Sequence, residues 1–229
     1  MRKTVTALLA LGMLVATVAT ASNAVRISQV YGGGGNSGAY YRYDFVELFN
    51  SSTVPVNIAG WTLMYASSTG ASFGGTANFY VAIPAGATIP ACGYYLIQLA
   101  SGANTVAANL PTPDAIGTIA ASGTSAKFGL LGSTATTGTC ATAWVDLVSY
   151  GPSASCFEGA APAPVLTNTT AAVRGGAGMN DTDQNGADFT AVACDANLAV
   201  HNSLSATNPL CGVVPTVPAT WGKIKTIYR

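Results

Sequence analysis

Beyond about residue 24 the chain has almost no helical periodicity; short runs rich in β-branched and aromatic residues alternate with clusters of Gly, Pro, Asn and Ser. Alternating runs bounded by turn-forming residues are the pattern of a β-sandwich or barrel. They predict strands over Val25–Tyr31, Tyr43–Asn50, Val54–Ile58, Trp61–Tyr65, Asn78–Ile83, Tyr94–Ala100, Lys127–Leu131 and Trp144–Tyr150, and a weaker one over Ala171–Arg174. In Phe45-Val46-Glu47-Leu48-Phe49, Val46 and Leu48 face one side, while Phe45, Glu47 and Phe49 face the other. A Glu between two aromatic rings is half-shielded from water and needs a hydrogen-bonding partner. Trp61, Leu63 and Tyr65 share a face, and Gly60 permits the turn that brings Trp61 into a core. Gly32–Gly35 is a flexible turn; with no helix after it, it is not a phosphate loop.

The first residues read differently. Met1-Arg2-Lys3 precede an apolar run from Thr4 to Thr20, then Ala21-Ser22-Asn23-Ala24. A charged start, a short apolar stretch and a small-residue exit make a secretory signal peptide over residues 1–24. The run is at the short end for spanning a bilayer, and no basic stop-transfer cluster follows it. The expectation is a secreted or cell-surface protein that meets the membrane only through its cleaved signal. Residues 25–212 would form one β domain, and residues 213–229 a Pro-containing linker with a basic, aromatic tail.

Charged residues are only 8% of the chain, but apolar and aromatic residues are plentiful enough for a sizeable core. Between Val25 and Gly212 lie all nine acids and four bases (Arg26, Arg42, Lys127, Arg174), a net charge of 4 − 9 = −5. A duplex-binding surface needs clustered Lys and Arg to displace counterions, so this body argues against nucleic acid as a partner. Secretion permits disulfides. The spacing offers Cys140 with Cys156 and Cys194 with Cys211, leaving Cys92 as an inert thiol among Pro90-Ala91 and Tyr94-Tyr95. There is no C-x-x-C pair and a single histidine, His201, which argues against structural zinc.

Several segments taken in order resemble the lamin tail domain family. They are Ile27–Tyr31, Tyr43–Asn50, Ile58–Leu63, Ile89–Ile97, Lys127–Leu131, Val145–Gly151 and Asp181–Phe189. The likeness covers roughly Val25 to Gly212 and is strongest to the secreted bacterial branch. The resemblance implies an all-β, immunoglobulin-like sandwich. In nuclear lamins the domain binds partner proteins; in secreted bacterial proteins it often sits beside nuclease, phosphatase or other hydrolase domains. No such neighbour is visible in this chain, so no hydrolase activity carries over. Bacterial relatives often have a cysteine just before the Asp-Thr-Asp stretch; here Met179 stands near that place, and Cys194 could take over the pairing role.

Three groups of residues are candidates for function. Asp181, Asp183 and Asn185 at alternate positions, then Gly186 and Asp188, resemble the first half of a calcium loop. The twelfth position is Val192, not the Glu of an EF-hand, so this is no EF-hand; calcium is the cofactor the loop would take, through Asp181, Asp183, Asn185 and Asp188. The alternative is a turn whose carboxylates cap backbone N–H groups. Tyr31, Tyr40, Tyr41 and Tyr43 surround the Gly-rich turn and either form an adaptable binding surface or pack over one end of the sandwich. Trp221, Lys223, Lys225, Tyr228 and Arg229 suggest a recognition tail; a frayed terminus or an edge strand are the alternatives. Asp44 and Glu47, three apart on a strand, face opposite sides and so do not act together. No nucleophile elbow and no H-E-x-x-H motif accompany His201.

The reading that follows is a non-catalytic secreted or cell-surface module that binds an extracellular or surface protein or a glycan. The rival is an accessory to, or a divergent member of, secreted metal-dependent nucleases and phosphatases.

Overall fold

A computed structural model describes residues 24–104 and 107–212. The signal peptide expected over residues 1–24, except for Ala24 itself, and the tail residues Trp221, Lys223, Lys225, Tyr228 and Arg229 lie outside the described residues. Two strands set the frame. β1 (Val25–Tyr31) and β2 (Tyr43–Asn50) pair antiparallel, with the bounds that the alternation predicts. The remaining strands are β3 (Val56–Asn57), β4 (Thr62–Ser67), β5 (Ser72–Gly74), β6 (Tyr80–Ala82) and β7 (Thr88–Ile89). They continue as β8 (Tyr94–Ser101), β9 (Ala115–Ile116), β10 (Ala126–Leu131), β11 (Thr137–Thr139) and β12 (Asp146–Tyr150). β13 (Thr170–Arg174), a one-turn helix α1 (Asn185–Asp188) and β14 (Phe189–Ala193) close the described chain.

A six-stranded sheet in the order β14-β13-β1-β2-β8-β9 faces a four-stranded one in the order β12-β10-β4-β6. Every pairing in them is antiparallel except β8 with β9. Between them lie Ile27, Val46, Leu48 and Ile97 from one sheet and Leu63, Tyr65, Phe128 and Val148 from the other, the alternating inward set of a sandwich. This is the all-β, immunoglobulin-like architecture that the resemblance implies. Both sheets are also covered on their outer faces. Tyr31, Phe45 and Leu96 form a second apolar cluster behind the six-stranded sheet, and Met64, Phe73 and Leu147 a third behind the four-stranded one.

The cysteines join only partly as the spacing suggests. Cys140 pairs with Cys156 across a separation of 16 residues. The second bond is Cys92–Cys211, with S–S 2.09 Å and Cα–Cα 5.5 Å, so the expected Cys194–Cys211 pair is not formed. The reason is long-range. Asn208 donates its N–H to the Cys92 carbonyl at 2.8 Å and its side-chain amide to the carbonyls of Gly176 and Ala177, both at 3.0 Å. That docks the returning chain against the Pro90–Gly93 turn. Cys194 is a buried free thiol in the second cluster with Tyr31 and Tyr41.

Candidate functional site

The outer face of the six-stranded sheet holds a buried carboxylate. The β1–β2 register shifts between Ile27 and Gln29, so Ser28 is an extra residue there. Ser28 and Gln29 therefore both reach Glu47, which is 1% exposed. Glu47 Oε1 accepts from Ser28 Oγ at 2.6 Å and Gln29 Nε2 at 3.2 Å. Its Oε2 accepts from the His201 backbone N–H at 2.6 Å and from the ring Nδ1 at 3.1 Å. A carboxylate only accepts, so Nδ1 carries the hydrogen. The His201 ring stacks on Tyr94, with centroids 4.2 Å apart and planes at 17°. A cavity of about 170 Å³ opens beside this group, lined by Gln29, Glu47, Tyr94, Val173, Leu198 and His201 among others. The Glu between two aromatics thus finds the partner it needs, and His201 is more than a loop residue.

At the same end of β13, Arg174 points the opposite way and is 1% exposed. Its Nε donates to the Ile27 carbonyl at 2.8 Å, Nη2 to Asp146 Oδ2 at 2.8 Å, and Nη1 to Asp181 Oδ1 at 2.8 Å. Nη1 also reaches Asp188 Oδ2 at 3.4 Å, and the guanidinium lies 4.5 Å from the Phe189 ring centroid. A planar, permanently charged fork suits this role, since it can serve several oxygens while stacked on a ring. The candidate calcium ligands are accordingly divided. Asp181 and Asp188 turn toward the guanidinium; Asp188 also accepts from Thr182 N–H at 2.9 Å and Thr182 Oγ1 at 2.7 Å. Asp183 is exposed in a left-handed conformation, φ 53°. Asn185 is fully buried and faces β12. It accepts from Ser149 N–H at 2.9 Å and donates to the Leu147 carbonyl at 2.9 Å. Its amide thereby fills the hydrogen-bonding edge that β12 would otherwise expose. The four residues do not converge on one centre, and among the described residues no three His, Cys, Asp or Glu side chains form a metal-binding group.

Buried carboxyls give the fold a pH dependence. Burial pushes Asp44 up to about 7 against the N–H groups of Ala121 and Gly34, and pushes Glu158 up to about 8 with help from Asp146. A carboxyl whose folded value is raised stabilises the fold while protonated. That contribution is complete below about pH 4 and is lost as pH rises through 7 and 8. Asp188 acts oppositely. Burial would raise it, but bonds from Thr182 and Gln184 and the Arg174 charge outweigh this and hold it down. Its stabilisation fails as pH falls through its folded value. Stability should therefore peak in mild acid and fall toward pH 9. Urea melts at pH 5, 7 and 9 check this; equal midpoints would refute it, and Asp44→Asn with Glu158→Gln should flatten the alkaline limb.

The tyrosines divide as well. Tyr31 and Tyr41 are buried, so these two follow the alternative of packing against the sandwich rather than forming a binding surface. They pack with Phe45 under the segment that follows Cys194, with Tyr31 Oη donating to the Asn168 carbonyl at 2.6 Å and Tyr41 Oη to that of Leu198 at 3.1 Å. Ring burial with a satisfied hydroxyl is the lower-energy use of such residues. Tyr40 and Tyr43 keep partial exposure, Tyr40 edge-on to Tyr41 at 4.9 Å and Tyr43 under Arg42 at 5.5 Å.

The all-β sandwich agrees with comparison to known families: the profile described as Lamin Tail Domain matches residues 18–152. The chain belongs to the lamin tail domain family. Among curated proteins none matches the chain. The matched part of this lamin tail domain ends just after β12, whereas β13, α1 and β14 lie beyond it. Those last elements supply Arg174, Asp181, Asp188 and, farther on, His201. The central residues of both buried polar groups thus come partly from outside the matched lamin tail segment. Sequence reasoning missed Arg174 as a hub, Gln29 and Ser28 as partners of Glu47, and His201 as its cap. The one available signal was scarcity. With four bases among nine acids in the body, a base ending a strand next to acidic loops is a candidate to be held by several of them.

Proposed function

We propose that this lamin tail domain works outside the cytoplasm as a non-catalytic binding or scaffolding module whose partner is an extracellular or cell-surface protein or a glycan. The observation that carries the reading is the use made of the carboxylates. Asp44, Glu47, Asp146 and Asp188 are each held by donors of the chain's own backbone and side chains, so their chemistry goes into rigidity. Two cysteine pairs at bonding distance fit an oxidising compartment. The Pro-containing stretch and the bases and aromatics after residue 212 suit a recognition tail on a rigid body.

A second reading has one observation in its favour. A polar cavity of about 300 Å³ beside Trp144 is lined by Glu158, Asp181 and Asp183, the place a divergent metal-dependent hydrolase would use. The two are separated by assaying the purified chain for nuclease and phosphatase activity with magnesium, manganese and calcium, and by following where the chain goes in expressing cells. The expected result is no turnover, recovery in the medium or on the cell surface, and a changed distribution when residues 213–229 are removed. Turnover lost on Asp181→Ala and Asp183→Ala would establish the hydrolase instead. Retention in the cytoplasm would remove the extracellular role.

A further inference from the structure

We propose that the cavity beside Glu47 is a binding site for a small, uncharged aromatic molecule carrying one hydrogen-bond donor, with phenol as its simplest form. The site goes beyond the extracellular role and does not depend on it. Four features define the ligand. The first is size: the cavity holds about 170 Å³, and an apolar cavity of about 150 Å³ accommodates benzene. The second is the wall, which is mostly carbon. Val173 and Leu198 contribute aliphatic surface, and the stacked Tyr94–His201 pair contributes aromatic surface. Flat rings pack well against such surfaces, edge-on or offset.

The third feature is charge. Glu47 lines the site, and its carboxyl oxygens already accept from Ser28, Gln29 and twice from His201. A cation would find those lone pairs engaged, and an anion would be repelled, so a charged ligand would lose its hydration without compensation. The fourth is a missing donor. Gln29 is 4% exposed and lines the cavity, and its Oε1 is buried with no hydrogen-bond partner. The amide is fixed in that orientation. Its Nε2 donates to Glu47 and, at 2.8 Å, to the Ala199 carbonyl, and a flip would set Oε1 against the carboxylate. A buried orphan acceptor is costly, and a ligand O–H or N–H placed there removes the cost.

The test is a titration of the full chain with phenol, anisole and benzene, followed by calorimetry and by amide shifts of β1 and β13. The expected result is saturable phenol binding about tenfold tighter than anisole, which keeps the ring but lacks the donor. Val173→Phe, directly opposite Gln29 across the β1–β13 pairing, should fill the cavity and abolish phenol binding while the thermal midpoint is kept; Leu198→Trp, which fills the cavity from the loop side, serves if that variant fails to fold. Gln29→Leu should make phenol and anisole bind alike. Equal affinities in the wild-type chain, no saturation by phenol up to its solubility limit, or undiminished binding in a folded cavity-filled variant would each overturn the proposal. None of these outcomes bears on where the protein is delivered, so the two readings fail separately.

Discussion

Replacing Arg174 by Met should cost about 3–5 kcal/mol of unfolding free energy, the largest loss expected from any single side chain here. The guanidinium holds Asp146, which is buried with Oδ2 also accepting the Ile27 N–H at 2.6 Å, and it draws in Asp181 from the loop before α1 and Asp188 from the end of α1. Burial pushes the Asp146 carboxyl up, and Arg174 opposes that shift. With the cation gone, Asp146 must either stay charged without a partner or take up a proton, and both routes destabilise the fold near neutral pH. Adding Asp146→Asn should recover part of the loss by removing the stranded charge, whereas Arg174→Lys should fall between, since a single ammonium cannot serve three carboxylates and the carbonyls of Ile27 and Asn180. Urea melts analysed by linear extrapolation give the comparison. A loss below about 1 kcal/mol would mean that the node orders nothing. The same geometry predicts that calcium leaves the wild-type thermal midpoint unchanged, because Arg174 already holds Asp181 and Asp188 while Asn185 is turned to β12; a rise removed by Asp183→Ala would show that the loop takes the ion after all.

The second large effect concerns the Cys92–Cys211 bond. Its residues are 119 apart, and closing a loop of that length restricts the unfolded chain by roughly 5 kcal/mol in the chain-entropy model. Cys92→Ser with Cys211→Ser should therefore weaken the fold more than the equivalent pair at Cys140 and Cys156, where a separation of 16 residues corresponds to about 3 kcal/mol. Non-reducing peptide mapping gives the connectivity directly. The expected products are one Cys92–Cys211 peptide, one Cys140–Cys156 peptide, and Cys194 alkylated only after denaturation. A Cys194–Cys211 peptide would overturn this arrangement.

Legibility from sequence followed the source of each element's stability. β1 and β2 are long and bury their inward sets, so their bounds could be read to the residue, although the bulge at Ser28 breaks the alternation in β1. β5 and β11 could not: Ser72-Phe73-Gly74 and Thr137-Gly138-Thr139 are three residues each and exist because they pair with one another, a contact between distant segments that no local pattern encodes. β14 escaped for the same reason, since only Phe189 of its five residues is buried and its register is set by β13. The candidate site was legible in halves. The face of Glu47 and its need for a partner follow from alternation, but the partners come from a bulge in β1 and from a loop more than 150 residues away. The cysteines show the limit plainly. Short spacing identifies Cys140–Cys156, whereas Cys211 reaches Cys92 through the docking of Asn208, which spacing does not contain.

The Cys92–Cys211 bond also decides how the domain would answer a mechanical load. A pull applied beyond Gly212 passes at Cys211 into the sulfur bridge and emerges at Cys92, immediately before β8. Everything from Gly93 to Leu210, including β8 to β14, lies in a covalent loop that bears no tension. If the other anchor is at Val25, only the stretch from β1 to Cys92 can be drawn out, and the length the molecule can yield before rupture of a covalent bond is correspondingly small. Reduction of that one bridge would turn a short, stiff tether into a long, extensible one.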